Sequence, residues 1–252
     1  MKNLFRTMIV SWLFSASLVY LSSCSKKSDP GPQLTGVSKQ FALAAKSNSG
    51  ISGTVTFAKR SDNATVITVQ LTGTQAGGSH PAHIHANTAV EGGGILLDFA
   101  PVDGATGKSE TVTKALNDGT PVTYEDLLVF NGYVNVHASS SDLGTLIAQG
   151  DIGQNELTGD SKVYGLNPVS NPAISGTATL EKRVNGQTLV TIALTGTTAG
   201  VTSPAHFHTN SAAQGGGIVI NLTSVDGTTG KSQTNVSKFN SGAAISYDEL
   251  LN

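Results

Sequence analysis

The chain repeats itself at one fixed interval. Ile174-Ser-Gly-Thr repeats Ile51-Ser-Gly-Thr, Pro204-Ala-His-Phe-His repeats Pro81-Ala-His-Ile-His, and Val225-Asp-Gly-Thr-Thr-Gly-Lys-Ser repeats Val102-Asp-Gly-Ala-Thr-Gly-Lys-Ser, every pair offset by 123. The match runs without a gap from Leu34-Thr35-Gly36 against Leu157-Thr158-Gly159 to Leu127-Leu128 against Leu250-Leu251. A period this long exceeds that of solenoid units, so each copy is expected to be a domain with its own core. The expected domains span 34–156 and 157–252.

Within a copy the patterning is that of short strands. Gly53 to Ala58 and Thr65 to Leu71 alternate apolar with small or polar residues around the turn signal Ser61-Asp62-Asn63. Further apolar runs lie at Ile95–Phe99, Glu110–Ala115, Tyr133–His137 and Leu146–Ile152. Tyr124-Glu-Asp-Leu-Leu128 predicts a short helix entered through Thr123 as N-cap. The 29 glycines and the low charged fraction of 13% fit short strands and tight turns, so the fold class is all-β, with each copy a sandwich or barrel. The second copy stops at Asn252 with no counterpart of residues 130–156, and an incomplete second domain with an open sheet edge is expected.

The amino-terminal end reads as an export signal. Lys2 and Arg6 precede an apolar stretch from Met8 to Leu21, followed by Leu21-Ser22-Ser23-Cys24. Leu-Ser-Ser-Cys resembles the lipobox of bacterial lipoproteins, which implies cleavage after residue 23 and lipidation of Cys24. Ser25 in place of Asp points to the outer membrane or cell surface of a bacterial envelope, with the lipid as the contact to the membrane. Residues 24–33, containing Asp29-Pro-Gly-Pro32, are expected to be an extended tether. Cys24 is the only cysteine, which excludes disulfides within the chain. Without the leader, 13 Lys+Arg face 17 Asp+Glu, and no basic patch suits nucleic acid.

All six histidines occupy a pattern: His80, His83, His85 and His137 in copy one, His206 and His208 in copy two. Residues i and i+2 of a strand project from one face, so His83 and His85 can aim at one point. His137, ending Tyr133-Val-Asn-Val-His137, is the candidate third ligand of a copper or zinc site. The alternative is that these rings bond backbone groups and hold a long loop to the sandwich. His206 and His208 lack a third partner and make a weaker site. His80, replaced by Ser203 in copy two, is expected to be peripheral.

Pro81-Ala-His-Ile-His, Tyr133-Val-Asn-Val-His and Gly144-Thr-Leu-Ile-Ala-Gln-Gly-Asp-Ile together resemble the CHRD domain. That resemblance implies a β-sandwich and no established reaction. Val136-His137-Ala-Ser-Ser-Ser-Asp142-Leu143-Gly144 also bears a distant resemblance to copper-zinc superoxide dismutase, which implies tandem Greek-key sandwiches of the dismutase or immunoglobulin kind and gives His83, His85 and His137 as copper ligands. The dismutase pattern is incomplete, because no histidine lies between His85 and His137 and the only arginines after the leader are Arg60 and Arg183. No nucleophile motif or cofactor fingerprint is present. Two functions follow as expectations: a non-catalytic binding or structural module meeting an extracellular or periplasmic protein or glycan, or a copper- or zinc-binding protein.

Overall fold

The computed structural model describes residues 30–252; the leader, Cys24 and tether residues 25–29 lie outside the described residues. Copy one runs β1 (Leu34–Ala45), β2 (Ser52–Arg60), β3 (Thr65–Thr72), β4 (Ser79–His80), β5 (Ala82–Ala86), β6 (Ile95–Asp98), β7 (Val102–Asp103), β8 (Lys108–Thr113), helix α1 (Tyr124–Leu128), β9 (Asn131–Ser139) and β10 (Asp142–Gly153). Copy two follows with β11 (Leu157–Leu166), β12 (Ser175–Arg183), β13 (Thr188–Thr195), β14 (Thr202–His208), β15 (Ile218–Asp226), β16 (Lys231–Val236) and α2 (Tyr247–Leu250).

The strands of copy one pair in the order β4-β7-β8-β3-β2-β1-β10-β9-β5-β6. β4 and β5 are one strand broken at Pro81, and β6 and β7 are one strand broken at residues 99–101. The same two strands therefore stand at both ends of the order, which curls the sheet into a sandwich. Proline has no N–H for a ladder, and the Pro81 carbonyl instead accepts from the His137 amide at 2.9 Å. Counting each broken strand once, the order around the sandwich is first, second, third, sixth, fifth, fourth, seventh, eighth, a Greek-key arrangement.

Copy two repeats the first six of these strands in the order β11-β12-β13-β16-β15-β14. Among the described residues nothing corresponds to β9 and β10, the hairpin that in copy one lies between β5 and β1. Ile84 of β5 is wholly buried, whereas its counterpart Phe207 on β14 is partly exposed. Buried apolar side chains gather in two clusters, one built around Phe57, Ile84, Leu127 and Val134 and the other around Leu180, Val190 and Ile220.

The helix α1 starts where its capping residues place it. Thr123 accepts from the Asp126 amide, and the Asp126 carboxylate takes the Thr123 amide in return at 2.9 Å, a capping box. Strand β1 was not legible in the sequence. It twists around Gly36, whose φ of +86° favours glycine, and buries only Phe41 and Leu43 deeply.

The copies meet at a seam built on Arg183, the counterpart of Arg60 in copy one. In copy one, Arg60 ends β2 and closes on Asp62 two residues later, with Nε and Nη2 each 2.8 Å from a carboxylate oxygen. The equivalents in copy two are Arg183 and Asn185. Asn185 offers one uncharged oxygen, already taken by the Gln187 amide at 3.0 Å. Arg183 therefore looks elsewhere: Nη1 donates to Asp151 Oδ2 of β10 at 2.7 Å and to the Asn155 carbonyl, while Nε donates to Asn235 Oδ1 at 2.8 Å. Its side chain is fully buried. The Val184 and Asn185 amides add bonds to the carbonyls of Glu156 and Gln154.

Candidate metal centre

Adjacent strands β5 and β9 pair with His83 opposite Asn135 and His85 opposite Tyr133. Period-two alternation then lines one face with His83, His85, Tyr133, Asn135 and His137. The three sequence-predicted ligands come together: one nitrogen from each of His83, His85 and His137 lies within 4.8 Å of the others. The rings of His83 and His137 have centroids 5.1 Å apart, and those of His83 and His85 5.9 Å. In two of the rings one nitrogen bonds a backbone carbonyl while the other is left to face the cluster. His85 Nδ1 is 3.0 Å from the Gly93 carbonyl and His137 Nδ1 2.8 Å from the Leu143 carbonyl. A carbonyl only accepts, so both rings carry their proton on Nδ1 and turn an Nε2 lone pair toward the centre.

His83 completes the set with its other nitrogen. Its Nδ1 sits 3.2 Å from His137 Nε2 and, since that atom is an acceptor, donates to it. A cation held here would take the Nδ1 lone pair, with the ring proton on Nε2, which lies 3.6 Å from Asp98 Oδ1. Metal–nitrogen bonds of about 2.0–2.1 Å would set the nitrogens about 3.3–3.6 Å apart, so a pair at 4.8 Å would have to close by about 1.2–1.5 Å.

Burial favours the neutral, ligating form. Desolvation, and after it repulsion from His137, lowers the His83 pKa from the ordinary histidine value, with Asp98 acting in opposition. Desolvation likewise lowers that of His137, opposed by its bond to the Leu143 carbonyl. The folded protein therefore resists protonation at pH values where the unfolded chain accepts it. Stability gained from neutral His83 and His137 is fully present above about pH 6.5, the unfolded value, and is lost as pH falls through the lower folded values. Metal-free protein should melt at lower temperature at pH 5.5 than at pH 7.5, and by a smaller margin in the doubly substituted His83→Gln/His137→Gln protein. Equal margins in thermal melts would show that these two rings do not carry the effect.

The remaining predicted residues divide. His80 is buried and, as expected, peripheral to the cluster: its Nδ1 reaches the Ala138 carbonyl at 2.8 Å and it stands outside the three-histidine group. His206 and His208 keep the geometry of His83 and His85, with centroids 6.0 Å apart and His208 Nδ1 2.9 Å from the Gly216 carbonyl. Both are exposed on β14, and among the described residues no third ligand joins them.

Three supporting residues were missed in the sequence. Tyr133 stacks on His85 at 5.0 Å and 17°, and its hydroxyl accepts from the Gly93 amide at 3.2 Å. Asn135 directs its amide nitrogen at His85 Nε2, 3.5 Å away, because its oxygen is held by Gln149 at 2.8 Å. Asp98 faces His83 from β6. Their signal was present in the alternation of Tyr133, Asn135 and His137. Gly93 is required for closeness: a Cβ there would stand 2.1 Å from the Ala86 carbonyl oxygen.

Together these features define a Greek-key β-sandwich with a three-histidine cluster on one face. Residues 34–146, all three histidines included, match the family model of the CHRD domain. No curated protein matches the chain.

Proposed function

We propose that copy one binds a copper or zinc ion through His83 Nδ1, His85 Nε2 and His137 Nε2, as a non-catalytic module of the bacterial envelope. The observation that carries this reading is the locking of two rings by the Gly93 and Leu143 carbonyls, which leaves Nε2 lone pairs converging beside His83. Three neutral imidazoles suit either metal, and the fourth position is left to water or a partner group.

Attachment rests on the lipid at Cys24, which places the module at the outer membrane or cell surface, in reach of an extracellular or periplasmic protein or glycan. No described helix is long and apolar enough to cross a membrane.

The test is metal analysis of the full chain after equilibration with copper or zinc and removal of free ion. One tightly held ion per chain is expected, and none with either metal would remove the metal-binding reading. Superoxide turnover by the copper-loaded chain, lost in His83→Ala, would overturn the non-catalytic part. Failure of the chain to incorporate fatty acid in cells, at the same level as Cys24→Ser, would overturn the anchor.

A further inference from the structure

We infer that the second copy positions the histidine centre of the first: Arg183 holds Asp151, and Asp151 holds the loop whose Gly93 carbonyl orients His85. The inference rests on the metal-binding reading above and adds to it a part played by copy two.

The contacts form one continuous path. The Asp151 carboxylate uses both oxygens, Oδ2 for Arg183 Nη1 at 2.7 Å and Oδ1 for the Ala89 amide at 2.8 Å. Ala89 lies in the loop between β5 and β6, residues 87–94. A second tie runs in parallel: Asn155, fully buried, donates to the Asn87 carbonyl at 2.9 Å and to the Gly132 carbonyl at 3.1 Å, while its own carbonyl accepts from Arg183 and its side-chain oxygen from Asn185 at 3.3 Å. Internal bonds from Thr88 to Glu91 and from Asn87 to the Gly92 carbonyl make the loop stiff. Its far end delivers Gly93, which accepts from His85 Nδ1 and donates to the Tyr133 hydroxyl stacked on the same ring.

A stiff loop clamped at Asn87 and Ala89 fixes where the Gly93 carbonyl stands, and that carbonyl fixes both the tautomer and the tilt of His85. In copy two, by contrast, the Gly216 carbonyl and His208 keep the same bond, yet both stand exposed. Arg183 and Asp151 touch no predicted ligand, so they are positioning residues.

The discriminating variant is Asp151→Asn. An asparagine has one acceptor oxygen and cannot serve both Arg183 and the Ala89 amide. Copper or zinc affinity of the full chain should fall about 10-fold, the lower end of the effect of outer-shell partners, and the copper(II) EPR hyperfine coupling should shift. In metal-free protein the 15N signals of His85 should move from one fixed tautomer toward a mixture. Asp151→Glu, which keeps two acceptors, should recover part of the affinity. Asp62→Asn, which breaks the matching Arg60 contact away from the histidines, should lower stability and leave affinity unchanged.

Unchanged affinity, EPR and His85 tautomer in Asp151→Asn would overturn the inference while leaving metal binding in place. If the wild type takes no metal, the tautomer readout still decides whether Asp151 positions His85. Should Asp151→Asn not fold, Arg183→Lys, which keeps the charge and loses the fork, carries the same three readouts.

Discussion

Replacing Asp151 by alanine is expected to destabilise the folded chain by about 3–5 kcal/mol, the range for removing one partner of a buried ion pair. Arg183 has no exposed surface, and one of its nitrogens, Nη2, is already without a hydrogen-bond partner. Without Asp151 the guanidinium is left with the Asn155 carbonyl and Asn235, both uncharged. Whole domains are stable by only about 5–15 kcal/mol, so the change removes a large share of that margin. The double replacement Asp151→Leu/Arg183→Met should behave differently, since apolar substitutes for a buried pair are often neutral or stabilising. Urea unfolding of the two proteins separates the cases. A double variant as unstable as Asp151→Ala would mean that the seam needs these hydrogen bonds for packing and not merely for charge compensation.

The second large effect is on metal binding. His137→Gln keeps a donor for the Leu143 carbonyl while removing the Nε2 ligand, and affinity for copper or zinc should fall by more than about 100-fold, the upper end of what outer-shell partners cause. Metal-free stability should change by no more than about 1 kcal/mol, the worth of one hydrogen bond. Calorimetric titration reads the first quantity and thermal melting the second. Metal at 100 times its dissociation constant stabilises wild-type protein by about 2.7 kcal/mol, and that increment should vanish in His137→Gln. A persisting increment would assign the ion to other ligands, with His206 and His208 the first to examine.

Much of this architecture could be read in advance, because it is written in period and spacing. The 123-residue offset aligns every strand of copy two with one in copy one. The His-x-His spacing on β5 and the Tyr-x-Asn-x-His spacing on β9 place the centre's residues on one face. What escaped the sequence has no period. Strand β1 hides because Gly36 interrupts it and its early residues are exposed. The carbonyls of Gly93 and Leu143 that set the ring tautomers carry no side-chain signature. Arg60 and Arg183 look equivalent, and only the exchange of Asp62 for Asn185 separates a guanidinium that closes on its own hairpin from one that crosses between copies.

That exchange also gives the tandem a direction. The seam joins the end of the last hairpin of one copy, through Asp151 and Asn155, to the opening hairpin of the next, through Arg183 and Asn185. The two surfaces are unlike, so the contact is heterologous and has no twofold axis to close it. Domains joined in this way add like links in a polar chain, each new one seating its first turn on the finished hairpin of its predecessor. Polarity, and not pairing, is the geometric rule of a seam where Asn185 stands in the place that Asp62 holds in the first copy.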